Sequence, residues 1–275
     1  MALLPPFFLD TVVAIGAGDD SATRKWVGTG FIIGKAVDVA IEIAKRQYAI
    51  YIVTNKHVVK DQAKLYAKFN SANDPLSKDY AIDLKKPDGT PIWVGHPNPN
   101  VDVAVIRIDP NILKNEGRLF QFFQLENHSS TKQELRSSGT TEGDRVFVLG
   151  FPMGLVSTDR QYVICRGGCL ARIRDFIEDK TSDFIIDASV FPGNSGGPVV
   201  SCPSAISITG TQSCTKANLI GIVKSYISYQ DVAISQQTGR ARIVFEENSG
   251  LTSVESVDSI NEAIQLAETI NSANS

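Results

Sequence analysis

Short runs of apolar residues, each bounded by turn-forming residues, dominate the hydrophobic pattern of this 275-residue chain. Runs rich in Val, Ile, Phe and Tyr are typical of strands, and clusters such as KPDGTP (86–91), HPNPN (96–100) and QQTGR (236–240) mark turns between them. The predicted strands cover 11–17, 26–34, 48–55, 101–108, 145–152, 162–168, 183–190, 218–226 and 241–247. This pattern predicts an all-β fold, either a sandwich or a barrel.

One segment near the C-terminus has a helical period instead. Ser259 and Glu262 are spaced as a capping box at its start. Elsewhere in the chain, the polar stretch 126–144 is the best internal boundary. We therefore expect two β halves joined at that stretch and a final helix docked on the β core. The apolar face of this helix is predicted to hold Ile260, Ala263, Ile264 and Ala267.

Composition narrows the choice of partners. A hydrophobic content of 43% is enough for a full core, and a net charge of -3 without a basic cluster argues against nucleic acid as a partner. No apolar run approaches the roughly 20 residues that span a bilayer, so no membrane partner is expected. The first nine residues, MALLPPFFL, lack a leading basic residue and contain two prolines, so we expect them to be folded structure and the location to be cytoplasmic.

The cysteines do not predict a metal site. Cys165 and Cys169 have a short spacing that zinc ligands also show, but Cys202 and Cys214 lie further apart and no histidine is near. Four cysteines are also few for a disulfide scaffold. Two alternatives stay open for Cys202 and Cys214, which either remain thiols or close a loop.

The segment FPGNSGGPVV (191–200) surrounds one serine with glycine and proline. Such a sequence is compatible with a plain tight turn. It is equally suited to acyl transfer, because Ser195 supplies a hydroxyl nucleophile while the main-chain N–H groups of Gly193 and Ser195 can converge on a developing oxyanion. Gly196 and Gly197 would leave room for a substrate.

The order in which a base, an acid and the serine occur along the chain distinguishes the known classes of serine hydrolase. A serine–acid–histidine order, as in α/β-hydrolases, fails because no histidine follows Ser195. The subtilisin order needs a βα scaffold that this strand-rich pattern does not predict. A histidine–acid–serine order remains.

Three histidines could serve as the base. His57 follows an apolar strand that could hold an imidazole rigidly, whereas His96 and His128 lie in polar loops. For the acid, Asp102 opens the alternating segment DVAVIRID, where a carboxylate could be buried beside an imidazole. The weaker rivals for the acid are Asp61, Asp109 and Asp187.

The blocks VTNKHVV, VDVAVI and GNSGGP together resemble the three catalytic blocks of the trypsin-like, chymotrypsin-fold serine proteases. WVGTGFIIG resembles the early hairpin of that fold, VLGFPMGL the entry to the second barrel in bacterial Deg-type proteases, and LIGIV the strand beside the substrate. The resemblance extends over residues 26 to about 226.

This resemblance implies two six-stranded β-barrels followed by a C-terminal helix. A single peptidase domain would span 1–275, with the first barrel at about 7–115, a connection at about 116–144 and the second barrel at about 145–250. The helix would cover about 258–271. No peptide-binding PDZ module is expected, since only about fifty residues follow LIGIV.

The resemblance also implies a serine endopeptidase that cuts polypeptides through an acyl-enzyme intermediate. His57 would be the general base, Asp102 would orient it, Ser195 would be the nucleophile, and the N–H groups of Gly193 and Ser195 would form the oxyanion hole. No metal or cofactor is needed. The alternatives are a catalytically idle domain that binds an extended peptide along 218–226, and ester hydrolysis or acyl transfer at the same serine.

Several positions depart from the family pattern. Asn194 replaces the aspartate with which digestive relatives pair a new N-terminus, so that form of zymogen activation is not expected. Lys224 stands where the family usually has a serine beside the triad acid, and SCPSAISITGTQSC (201–214) resembles an insertion at the rim of the cleft. The predicted substrate-binding residues favour small or aliphatic side chains before the cut, and they are Ser189, Val190, Lys224, Ser225 and Tyr226.

Overall fold

The computed structural model describes residues 3–20, 22–204 and 213–273 and is built mainly of β-strands. The strands of the first half are β1 (Val12–Ala17), β2 (Lys25–Ala36), β3 (Tyr48–Thr54), β4 (Lys64–Ser71), β5 (Lys78–Asp83), β6 (Val94–Gly95), β7 (Ala104–Ile108), β8 (Arg118–Leu119) and β9 (Phe123–Gln124). Those of the second half are β10 (Arg145–Gly150), β11 (Ile164–Arg172), β12 (Asp183–Asp187), β13 (Pro198–Ser201), β14 (Leu219–Ile234) and β15 (Ala241–Ser256). The helices are α1 (Lys56–Val59), α2 (Pro110–Asn115), α3 (Lys132–Ser137), α4 (Arg174–Ile177) and α5 (Val257–Ala273), and 3-10 turns cover Pro6–Thr11, Ile43–Lys45 and Pro152–Gly154.

The second half closes into a six-stranded barrel in the order β10-β11-β12-β15-β14-β13. The first half is a nine-stranded sheet whose main path runs β5-β4-β1-β2-β3-β7-β6, with β8 added beside β4 and β9 beside β2. The Ile92 N–H donates to the Leu84 carbonyl at 3.0 Å, so the segments beside β5 and β6 lie next to each other, although no pairing joins these two strands themselves among the described residues. We call this sheet the first half-barrel. The predicted all-β class and trypsin-like architecture are confirmed, with the difference that, among the strands that the structure describes, a closed ring of six forms in the second half but not in the first.

Side chains that alternate along the strands fill three cores. One core lies inside the first half-barrel and one inside the second barrel. The third lies between them, where Phe31, Tyr51 and Phe123 from the first half pack with Phe151 and Val200 from the second. This shared core fixes the cleft between the two halves, because interiors packed at this density deform little.

The final helix completes the shared core. The predicted apolar face is buried as expected, by Ile260, Ala263, Ile264 and Ala267. The predicted capping box at Ser259 and Glu262 is wrong, because α5 begins at Val257 directly after β15 and Ser259 lies inside its first turn. The Ser256 hydroxyl accepts the Ser259 N–H at 3.4 Å instead.

Two other sequence expectations concern the N-terminal segment and the predicted rim insertion. Phe8 in the N-terminal segment is 1% exposed and packs in the shared core, so the described part of that segment is folded structure as expected. Most of the predicted rim insertion at 201–214 falls on 205–212, outside the described residues.

Candidate active site

His57 lies on a single helical turn rather than at the strand end that its sequence predicts. β3 ends at Thr54 and α1 follows at once, with Val58 and Val59 buried in the core of the first half-barrel. The Asn55 side chain also donates to the Asp102 carbonyl at 2.6 Å. Buried neighbours on both sides therefore fix this turn, while the His57 side chain remains 52% exposed on the cleft.

Asp102 lies two residues before β7 and binds His57 twice. Its Oδ2 is 2.5 Å from His57 Nδ1, and its Oδ1 accepts the His57 main-chain N–H at 3.1 Å. Burial alone would raise the pKa of Asp102, but the hydrogen bond and charge of the His57 ring, with the main-chain N–H groups of His57 and Lys56, hold it below the ordinary value. Asp102 is therefore a carboxylate at neutral pH and fixes the orientation of the imidazole.

Ser195 lies in a tight turn between β12 and β13. The Asn194 N–H donates to the Phe191 carbonyl at 2.9 Å, and the Gly197 N–H to the Asn194 carbonyl at 2.8 Å. Gly193 has φ +100° and a Cβ there would lie 2.4 Å from the Phe151 carbonyl oxygen, so only glycine fits this position. The glycines around the serine thus allow the main chain to pass close to its neighbours.

The turn leaves two main-chain donors available. The Pro192 carbonyl accepts the Met153 N–H at 2.5 Å, and because C=O and N–H point in opposite directions across a trans peptide, the Gly193 N–H points away from Met153. Across the described residues, neither the Gly193 N–H nor the Ser195 N–H donates a hydrogen bond to another group. Two unpaired donors beside a serine hydroxyl are suited to an oxyanion.

A cavity of about 390 Å³ brings the three predicted side chains together. His57, Asp102 and Ser195 all line it, although no hydrogen bond joins His57 Nε2 to Ser195 Oγ in the described part of the chain. The remaining wall is mostly apolar and consists of Val190, Phe191, Pro192, Val223, Lys224, Ser225 and Tyr226.

Ser189 is the one predicted pocket residue that does not line this cavity. Ala188 and Val190 on either side are buried, so alternation along the extended chain turns the Ser189 side chain to the opposite, exposed side. Its carbonyl accepts a hydrogen bond from the Arg166 guanidinium. The structure therefore does not bring Ser189 together with the other predicted pocket residues.

The other candidate bases and acids have different partners. His96 is 8% exposed, and its Nε2 lies 2.8 Å from Glu262 Oε2 of α5. His128 packs against the Phe7 ring at 5.1 Å. Asp109 caps α2 by accepting the Asn111 N–H at 2.9 Å. None of these residues lines the cavity, and neither do Asp61 and Asp187.

Thr29 of β2 is a residue at the site that the sequence reasoning missed. Its hydroxyl donates to the Gly193 carbonyl at 2.6 Å and accepts the Phe151 N–H at 3.0 Å, and its main-chain N–H donates to the Ser195 carbonyl at 2.8 Å. Thr29 is fully buried. The one signal in the sequence is a hydroxyl residue between two glycines in an otherwise apolar strand.

Comparison with known proteins identifies the family of the chain. The family model described as a trypsin-like peptidase domain matches residues 28–204, which is more than half of the chain. The chain belongs to the trypsin-like peptidase family. The resemblance stated from the sequence is thereby confirmed.

Similar proteins carry serine protease names. A Chlamydia pneumoniae protein described as "Probable periplasmic serine endoprotease DegP-like" is 32% identical over 152 residues, covering 54% of this chain and 24% of the relative. A Staphylococcus aureus protein described as "Serine protease HtrA-like" is 26% identical over 225 residues, covering 78% of this chain and 22% of the relative. The chain thus spans about a quarter of the length of these relatives. Among solved structures, the apo MamO protease domain of Magnetospirillum magneticum matches with a TM-score of 0.48 and 15% identity over 93% of this peptidase chain and 96% of its own.

Other expectations concern cofactors and location. In the ranges that the structure describes, no helix is long and apolar enough to cross a membrane, and no three His, Cys, Asp or Glu side chains are grouped to hold a metal ion. All four cysteines, including Cys202 and Cys214, are free thiols. The cytoplasmic location stays a prediction for this peptidase domain.

Proposed function

We propose that this trypsin-like peptidase domain is a serine endopeptidase that hydrolyses polypeptides through an acyl-enzyme intermediate. His57 takes the Ser195 proton as Oγ bonds to the substrate carbonyl carbon, and then gives this proton to the leaving amine. Asp102 holds the imidazole in the required tautomer and stabilises its charged form. Water then attacks the acyl-enzyme with the same proton transfers through His57, which releases the carboxylate product and restores the Ser195 hydroxyl.

The contact that carries the proposal is the 2.5 Å hydrogen bond from His57 Nδ1 to Asp102 Oδ2 on the cavity that Ser195 also lines. With Nδ1 engaged by the carboxylate, Nε2 is the ring nitrogen available to a serine hydroxyl. The unpaired N–H groups of Gly193 and Ser195 are the donors proposed for the oxyanion. A turn with a purely structural role would not require the His57–Asp102 hydrogen bond, a ring nitrogen available to Ser195 or the unpaired N–H groups.

The substrate side chain before the cut is proposed to be small or aliphatic. Val190, Pro192 and Val223 line the cavity beside Ser195 with apolar surface. The Asn248 side chain donates to the Val190 carbonyl at 2.5 Å and so fixes this wall. An extended polypeptide would add to β14 beyond Val223, since the pairing of β14 with β13 ends at Ile222 and the main chain of Val223 binds Gly196 and Gly197.

Ser195→Ala is the direct test of this proposal. We expect the unmutated chain to cleave an unfolded polypeptide and to react with a fluorophosphonate probe at Ser195, and the variant to do neither. Ser189→Ala is the matched control, since Ser189 lies close in sequence but outside the cavity. Labelling of another residue, or undiminished cleavage by Ser195→Ala, would contradict the proposal.

The second candidate is an idle domain that binds peptide without cutting it. The observation that favours it is the lack of a hydrogen bond between His57 Nε2 and Ser195 Oγ across the described residues, although such bonds often tighten only when substrate binds. Peptide binding that is equal in the unmutated chain and in Ser195→Ala, with no turnover of a broad peptide library, would establish this alternative.

A further inference from the structure

A carboxylate is buried directly behind the candidate triad. Glu255, near the end of β15, is 0% exposed, and its Oε1 accepts the main-chain N–H of Asp102 at 3.0 Å. Glu255 belongs to the second barrel, whereas Asp102 belongs to the first half-barrel. This hydrogen bond therefore crosses between the two halves at the triad acid itself.

Lys224 of β14 supplies the opposite charge. Its Nζ lies 2.9 Å from Glu255 Oε1 and donates to the Asn100 carbonyl at 3.0 Å, with Asp183 Oδ2 at 3.8 Å. Burial alone would lower the pKa of Lys224, but the hydrogen bond and charge of Glu255, with Asp183 and Asp102, raise it. Lys224 is thus an ammonium and makes the burial of the Glu255 carboxylate tolerable.

The two side chains hold the same loop at two points. Asn100 and Asp102 both lie in the segment that leads into β7, and one presents its carbonyl to Lys224 while the other presents its N–H to Glu255. Two hydrogen bonds to main-chain groups two residues apart restrict both the position and the rotation of that segment. The side chain of Asp102 then points to His57.

β14, the strand of Lys224, also contacts the turn that carries Ser195. The Val223 carbonyl accepts the Gly196 N–H at 3.0 Å, and the Val223 N–H donates to the Gly197 carbonyl at 2.9 Å. Val223 is the residue before Lys224. The turn that carries Ser195 is therefore connected to Asp102 through the hydrogen bonds of Val223, the main chain of β14 and the contact of Lys224 with Glu255.

We infer that Lys224 and Glu255 are positioning residues that hold Asp102, and through it His57, at a fixed place relative to Ser195. This inference rests on the proposed serine endopeptidase function. A charged pair suits the task because a single buried carboxylate can accept the Asp102 N–H strongly only if a cation accompanies it. Glu255 acts through Asp102 and does not line the cavity.

The kinetic test compares Glu255→Ala with a double variant, Lys224→Met with Glu255→Gln. Active sites are titrated with the fluorophosphonate so that kcat refers to folded enzyme only. We expect Glu255→Ala to lower kcat about 100-fold with little change in KM, since a small misplacement of catalytic groups costs about that much. The double variant leaves no buried charge unpaired and should fold, with kcat reduced about ten-fold because Asn100 loses its donor.

Lys35→Met is the matched control. It breaks the pair between Lys35 of β2 and Glu268 of α5, which are 2.7 Å apart and away from the cavity. We expect this variant to keep the kcat of the unmutated chain, even if its melting temperature falls. A loss of kcat equal to that of Glu255→Ala would show that any broken ion pair has this effect, and would overturn the inference.

Proton NMR gives a readout that needs no turnover. The ring proton between His57 Nδ1 and Asp102 resonates far downfield of the amides when the bond is short, and we expect this signal to move or vanish in Glu255→Ala and in the double variant. An unchanged signal together with an unchanged kcat, at a lower melting temperature, would reduce the pair to a packing role. If the unmutated chain proves inactive, the proposed function fails while this signal still decides the positioning role.

Discussion

Replacing Thr29 by valine removes one hydroxyl from the contact between the two halves of the molecule and keeps the shape of the side chain. The hydroxyl donates to the Gly193 carbonyl at 2.6 Å and accepts the Phe151 N–H at 3.0 Å, and Thr29 is fully buried. Valine can do neither. Two buried main-chain groups would therefore lose their partner.

The size of the effect follows from these two groups. A buried polar group without a partner costs about 1–3 kcal/mol. Because local relaxation recovers part of this cost, we expect the free energy of unfolding of Thr29→Val to fall by about 2–4 kcal/mol in total. A domain with about 5–15 kcal/mol of stability would remain mostly folded at 25 °C after such a loss.

The turn that carries Ser195 should also respond. Thr29 fixes the Gly193 carbonyl, and the Gly193–Asn194 peptide lies between the two peptides that carry the N–H groups proposed for the oxyanion. Removing one such donor outright lowers kcat by about 10²–10³. We expect displacement of the turn to slow fluorophosphonate labelling of Ser195 about ten-fold.

The assay combines urea unfolding with the rate of labelling, and Thr29→Ser is the control. Serine keeps the hydroxyl and loses only a methyl group, so its cost should be about 1 kcal/mol with labelling almost unchanged. If Thr29→Val matched Thr29→Ser in both measurements, the two hydrogen bonds would not stabilise the turn and the reasoning would be refuted.

Two further predictions follow from Gly196 and Glu142. Gly196→Ala should abolish labelling of Ser195, because at φ +85° its Cβ would lie 2.0 Å from the Thr29 carbonyl oxygen; a variant that labels at the normal rate would contradict this. Glu142 accepts the N–H groups of Ile173 and Arg174 at the start of α4, and these bonds, that of Ile173 foremost, lower its pKa from 4.5 to about 2. A group whose pKa is lowered on folding stabilises the fold above pH 4.5, and this stabilisation is lost as the pH falls toward 2. Glu142→Gln should therefore reduce the free energy of unfolding at pH 7 by about 1 kcal/mol after solvent screening. The difference between the variant and the unmutated chain should disappear in acid. A difference that stays constant from pH 7 to pH 2 would refute the assignment.

Strands with continuous apolar runs were predictable from the sequence, and others were not. β3 and β7 consist largely of Ile, Val and Ala, and burial on both faces makes such runs conspicuous. β4 (KLYAKFNS) contains two lysines and escaped prediction. Lys68 is nevertheless only 6% exposed, and its ammonium group lies 5.4 Å from the centre of the Trp26 ring. A cation–π contact between distant residues cannot be read from local pattern.

The site divides in the same way. His57, Asp102 and Ser195 could be proposed because their residue types, order and local sequence carry the chemistry, and the structure brings them to one cavity. The partners Thr29 and Glu255 could not be proposed. Nothing local to residue 255 indicates that it lies against the main chain of residue 102, since only the closure of the second barrel brings β15 there.

The position of these unpredicted partners explains how a site divided between two halves can be kept in register. His57 and Asp102 belong to the first half-barrel and Ser195 to the second barrel, so a small rotation of one half against the other would separate the proposed nucleophile from its proposed base. The shared apolar core resists separation but is weakly directional, because the hydrophobic effect depends on buried area. Directional contacts between the two halves are therefore needed, and two are present: the Thr29 hydroxyl donates to the Gly193 carbonyl, and the Asp102 N–H donates to Glu255. One fixes the turn of the serine from the first half, and the other fixes the loop of the acid from the second.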